Sequence, residues 1–188
     1  MLPSSFDKPA ALASRGVRRF GRDRRGSAAV EFALVAPIFF ALFFAILETG
    51  LVFFAGQTLE TATQAVSRLV MTGQAQGIGY TQDQFKDEVC KHILGLLDCQ
   101  NGVYVDVQSY SSFGSVAIID PVADGKFVPT TVYKPGNACD VVVVRLFYQW
   151  PLFVVGLGYD MSNLSGNKRL LVATAAFRNE PFGSGSCT

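Results

Sequence analysis

The sequence predicts an α+β fold built on one long N-terminal helix. Residues 32–47 are sixteen consecutive positions that are all apolar or proline, and an arginine-rich stretch precedes them. Beyond Gln57 the apolar residues narrow to one helical face, and from Val103 onward β-branched and aromatic runs alternate with Gly-, Pro- and Asn-containing stretches. A chain of 188 residues that is 49% hydrophobic and 16% charged has room for one ordinary domain and a tail, and is too apolar to stay disordered.

The net charge of +1 conceals an asymmetry. Residues 1–26 hold seven cations against two acids, a net of +5, and the remainder carries −4. Such a split marks a tail that meets an anionic surface and a body that does not. Residues 1–26 therefore read as a basic tail.

No Lys or Arg follows Arg25 until Arg68. Ser27 to Leu47 is 21 residues whose only charge is Glu31. At about 1.5 Å per residue it reaches roughly 31 Å, the thickness of a bilayer hydrocarbon core. A helix satisfies its own backbone in lipid, and Pro37 is tolerated there as a kink. We expect a membrane-spanning helix over 27–55. The preceding cations keep the N-terminus cytoplasmic and send residues 56–188 to the other side. A buried core helix is rarely apolar all round with an Arg cluster at one end. An ordinary secretory signal has a shorter apolar core and a small-x-small cleavage site, which is not evident here.

Glu31 is the anomaly in the span. A carboxylate in hydrocarbon costs several kcal/mol by most estimates, so it needs a partner or a task. One reading has it shallow, snorkelling to the headgroups beside Arg24 or Arg25; the other gives it a function. Glu48, about 31 Å along the helix from Ser27, falls near the outer interface. There a solvated helix-end carboxylate is preferred over a pairing partner for another subunit.

Leu59, Ala62, Val66, Leu69 and Val70 recur at helical spacing with polar residues between them, extending the first helix to about Thr72. The stretch from Gly73 to Gly79 reads as a flexible connector. T-Q-D-Q from Thr81 has the form of a capping box and opens a second helix to about Leu97, with Phe85, Val89, Ile93 and Leu96 as its apolar stripe. Expected strands are Val103–Val107, alternating between a buried and a wet face, then Ser115–Ile119, Val141–Trp150 and Arg169–Arg178. Segments 120–138 and 156–168 read as loops. Helices followed by strands suggest a small antiparallel sheet packed on the long helix.

Cys90, Cys99, Cys139 and Cys187 all follow the span, on the oxidising side of this topology. Four thiols there read as two disulfides, with three pairings open. Cys90–Cys99 with Cys139–Cys187 is favoured, the first closing a short loop and the second pinning the C-terminal tail. His92 is the single histidine and no C-x-x-C occurs, which argues against zinc. The glycines at 156–159 and 183–186 lack the context and the lysine of phosphate-binding loops. Neither a catalytic group nor a cofactor is expected. Topology suffices to explain the arginines, so no nucleic-acid partner is expected either.

The string R-R-G-S-A-A-V-E-F, Arg24 to Phe32, resembles the processing site of type IV-like prepilins. There a basic leader ends in Gly, a membrane peptidase cuts after it, and Glu is the fifth residue of the mature chain. The resemblance implies cleavage between Gly26 and Ser27, with Glu31 fifth and a role for it in processing or assembly. Phe32 stands where the Flp/Tad branch usually has Tyr. Glycine suits a scissile position because it leaves room against a protease. In an assembled pilus the new ammonium and the Glu carboxylate would offset each other's burial.

More widely, the chain resembles the TadE-like family of the tight-adherence (Flp, type IVc) pilus system. That likeness rests on Arg24–Pro37 with I-L-E-T-G at 46–50, on D-V-V-V-V-R-L-F-Y-Q-W-P-L from Asp140, and on A-T-A-A-F-R-N-E-P from Ala173. TadF relatives share the first pattern. The resemblance implies a pilin-like plan and a structural rather than enzymatic minor pilin or pseudopilin of the bacterial inner membrane. It implies as partners a prepilin peptidase, the major pilin and TadE/TadF-type subunits, an inner-membrane assembly platform and the lipid bilayer. The rival reading is an unprocessed single-pass periplasmic enzyme or binding module.

Overall fold

A computed structural model describes residues 26–93, 95–129, 131–154, 159–183 and 187. The basic leader before Gly26 lies outside the described residues, as do most of the glycine-containing stretches at 156–159 and 183–186. The chain divides into two units, Met1–Phe44 and Ala45–Thr188. Helix α1, Ser27–Met71, begins in the first and ends in the second.

Within the first unit α1 is apolar on every side. Phe32, Leu34, Ile38 and Phe39 are exposed, and Phe39 stacks on Phe43 and Phe40 on Phe44 at i,i+4 spacing. An 18-residue window of α1 reaches a mean hydropathy of 2.5 with none of it buried. In water such a surface would be driven to associate; in lipid it is solvated.

The second unit is an α+β head. Its part of α1 buries Val52, Ala55, Leu59, Ala62, Val66 and Val70 on one face, at the helical spacing expected of a packing stripe. Those side chains meet Val103, Val105, Val107, Val142, Val144, Leu146 and Ala173 in one core. The sheet is antiparallel with order β1-β4-β5, from β1 (Val103–Tyr110), β4 (Val141–Pro151) and β5 (Lys168–Arg178). Central β4 has buried side chains on both faces. Val142, Val144 and Leu146 join the α1 core, while Phe147 packs with Leu164 and Leu170 in a second cluster. Tyr104, Val122 and Phe127 flank that cluster. A two-stranded hairpin, β2 (Val122–Ala123) and β3 (Lys126–Phe127), supplies two of these side chains from within the expected 120–138 loop. Double burial explains why V-V-V-V-R-L-F lacks the alternation of a half-buried strand.

Several local expectations change. The 73–79 connector contains a helical turn, α2 (Gln74–Ile78), between Gly73 and Gly79, which both have positive φ. A side chain on Gly73 would also collide with the Phe182 ring. Helix α3 starts on the expected capping box: Thr81 Oγ1 accepts from the Gln84 amide and Gln84 Oε1 from the Thr81 amide. It spans Gln82–Lys91 and does not continue to Leu97. Phe85 and Val89 are fully buried, but Leu96 is exposed. The chain instead turns through Gly95, and Asp98 caps a new turn, α4 (Cys99–Gly102), with Cys99 bonded back to Cys90. Residues 115–119 form no strand. Residues 132–134 occupy part of the outer edge of β1, through hydrogen bonds of Val107 N–H to Val132 O and Lys134 N–H to Val107 O. Ile118 and Ile119 are left exposed after a short 3-10 turn.

Candidate functional site

The processing-type segment lies at the start of α1. Among the described residues nothing lies within 4 Å of where a Cβ on Gly26 would stand. Ser27, Glu31 and Phe32 are exposed, and Ser27 Oγ donates to Glu31 Oε1 at 3.1 Å. A hydroxyl one turn earlier gives the carboxylate one local partner among the described residues. This juxtaposition is dictated by helical i,i+4 spacing alone.

Glu48 behaves otherwise, and the expectation of a solvated carboxylate is overturned. Its residue is only 5% exposed. Oε1 accepts the Phe153 amide in a short hydrogen bond, and both carboxylate oxygens accept the Val154 amide at 3.2 Å. One helical position on, Thr49 Oγ1 donates to the Ala45 carbonyl and contacts the Tyr159 hydroxyl. The Tyr159 hydroxyl also lies 3.3 Å from the Ala45 carbonyl. Two parts of the β4–β5 connection, 153–154 and 159, are thereby tied to one turn of α1. The clamp is intramolecular: Glu48 spends its acceptors on this chain's own backbone.

A second buried pair organises the far face of the sheet. Asp106 and Arg145 face each other across the β1–β4 ladder. Arg145 Nη2 and Nε reach Asp106 Oδ2 at 2.6 and 3.0 Å. Gln108 Nε2 and the Val132 amide supply further donors to Asp106, and Arg145 Nη1 donates to the Ile119 carbonyl at 3.0 Å. Asp106 was expected on the wet face of its strand; it is fully buried. A buried ion pair is tolerated when its remaining hydrogen-bonding capacity is used, and here it draws residues 119 and 132 onto the sheet.

The tail after β5 is also structural. Asn179 is 2% exposed and its Nδ2 donates to the Pro135 and Asn137 carbonyls, while the Glu180 amide donates to the Met71 carbonyl at the end of α1. Disulfides join Cys90 to Cys99 and Cys139 to Cys187, with Cα separations of 5.6 and 5.3 Å. Tyr133, half-buried against Phe85 with ring centroids 5.2 Å apart, has its phenol pushed up to about 12, chiefly by burial and then by Tyr80. Among the described residues no cluster of three His, Cys, Asp or Glu side chains could hold a metal ion. His92 ends α3 and lines a shallow surface depression with Phe54, Gln57, Thr58 and Thr61.

An apolar helix that opens beside a glycine, with a carboxylate at its fifth position and an α+β head on its far half, defines a membrane-anchored, single-pass protein of pilin-like build. Residues 26–68 match the family model for TadE-like protein. This segment is thus TadE-like, as its residues suggested, and the family is one of Tad pilus-associated, pilin-like proteins. No curated protein and no solved structure matches the chain. Sequence reasoning missed Asp106, Arg145 and Asn179 as buried polar groups. A lone Arg inside a run of valines was the one available signal for the pair.

Proposed function

We propose that the chain is a TadE-like minor pilin or pseudopilin, a structural or assembly-priming subunit of a type IVc Tad/Flp pilus used in adherence. It is stored in the bacterial inner membrane with the basic leader cytoplasmic and the disulfide-bonded head periplasmic. A prepilin peptidase cuts after Gly26, and Ser27 becomes the first residue. The observation that carries this reading is the register: Gly26, Ser27 and Glu31 fall within the matched 26–68 segment, in front of an apolar helix.

Each part then has a physical task. Cleavage removes the +5 leader that holds the N-terminus in place. The bare apolar helix, retained by lipid beforehand, packs against the helices of major pilin and TadE/TadF-type partners delivered through the assembly platform. The new N-terminal ammonium and the Glu31 carboxylate offset each other's charge between neighbouring subunits. The head acts by shape and surface, with no chemistry of its own.

Intact mass and N-terminal sequencing of the membrane-extracted protein test the cut, in strains with and without the peptidase. The expected result is a chain beginning at Ser27 only where the peptidase is present. A chain that keeps Met1–Gly26 in the peptidase-positive strain would sink the proposal.

A further inference from the structure

The Glu48 clamp places an apolar loop where lipid should be. The exposed apolar surface of α1 does not stop at Glu48. Ile46 and Leu47 precede it, and Leu51, Phe53 and Phe54 follow, with Phe53 74% exposed. Glu48 thus lies inside an apolar band about 12 Å long, from residue 46 to residue 54, at the helical rise of about 1.5 Å per residue. A carboxylate at that level would face lipid unless something covered it. The cover is the start of the β4–β5 connection, whose Phe153 and Val154 amides are directed onto the carboxylate. With those two amides engaged, the loop presents side chains instead. Phe153 and Val154 carry no charge, and Phe153 is 80% exposed, whereas Leu152 just before them is buried in the α1 core. Tyr159, with its hydroxyl on the Ala45 carbonyl, fixes the other described end of the connection to the same helical turn.

We propose that Phe153 and Val154 form a second lipid contact of the head, seated in the bilayer leaflet on the C-terminal side of the span. A loop bonded to the helix inside its lipid-facing band shares the depth of that band. Its occupant is therefore the headgroup–acyl boundary, a region that accommodates aromatic side chains. Glu48 is a positioning residue that holds the loop at this depth while its own charge is shielded by backbone donors. The contact fixes the head against the membrane surface before assembly, and extraction of the subunit must break it. It does not depend on cleavage at Gly26.

The test uses the full chain in phosphatidylcholine vesicles containing a phospholipid with a photoactivatable diazirine on its acyl chain. After illumination and tryptic digestion, lipid adducts are expected on the peptide Leu146–Lys168 as well as on the span. Phe153→Asp should lower the adduct yield on that peptide severalfold without changing the yield on the span. Absence of lipid on Leu146–Lys168 in the wild-type chain, with the span of the same sample labelled, overturns the proposal. A single-tryptophan chain, W150F with F153W, gives an independent reading. Its emission should be quenched more by lipids brominated near the headgroup than by lipids brominated near the chain ends. Unquenched, water-exposed emission from a correctly disulfide-bonded chain overturns the proposal equally.

Discussion

The two halves of α1 have opposite habits. Before Phe44 its large apolar side chains lie exposed; from Val52 to Val70 an apolar stripe is buried, with small residues alternating with large ones. The carboxylates follow the same division. Glu31 is exposed and accepts from Ser27, whereas Glu48 is buried under two backbone amides. Apolar content alone therefore does not define a core. What separates the halves is that the stripe of the second meets the sheet, and from Gln57 onward the face opposite that stripe is polar, with Gln57, Thr61, Gln64 and Arg68 exposed.

The sharpest way to break this comparison is to shorten one leucine in each half. Leu59 is fully buried and Leu34 is 71% exposed. Leu59→Ala should cost the head about 2–5 kcal/mol, from lost burial and the cavity left behind. Leu34→Ala should leave head unfolding within about 0.5 kcal/mol of the parent. Urea titration of the full chain in micelles, followed by Trp150 fluorescence, measures both. Equal losses would mean that the first half also packs on the head.

The carboxylates offer a smaller contrast. Glu48→Ala leaves the Phe153 and Val154 amides without their acceptor and should cost roughly 1–3 kcal/mol. Glu31→Ala should leave the same transition unmoved while reducing piliation. Wild-type pilus yield from Glu31→Ala would remove its part in assembly.

The start of α1 at Ser27, with Glu31 one turn further on, was legible because it is local to a single helical period. The extent of α1, the capping box on Thr81 and the strands at 141 and 169 were legible for the same reason. Glu48 was not, since its partner amide lies 105 positions away. Asp106 was misread because V-Y-V-D-V has the alternation of a half-wet strand; its buried counter-ion comes from Arg145, on the neighbouring strand. Residues 115–119 carry strand-like side chains, but an edge hydrogen-bonding position they would have needed is taken by residues 132–134. Long-range pairing decided each of these cases.

The smallest effect separates the halves by pH. Tyr133 belongs to the head, and its phenol ionises at about 12 rather than near the ordinary 10, mainly because burial disfavours the phenolate. An acid whose folded pKa is raised favours the folded state while protonated. That contribution is complete below about pH 10 and is lost as pH rises through about 12. The melting temperature of the full chain in micelles should therefore fall across this window, with Tyr133→Phe showing a shallower fall. Helicity of the span should stay constant over the same range, since its apolar residues do not titrate. A fall of equal depth in Tyr133→Phe would assign the alkaline loss to other groups and leave this phenol without a share in it.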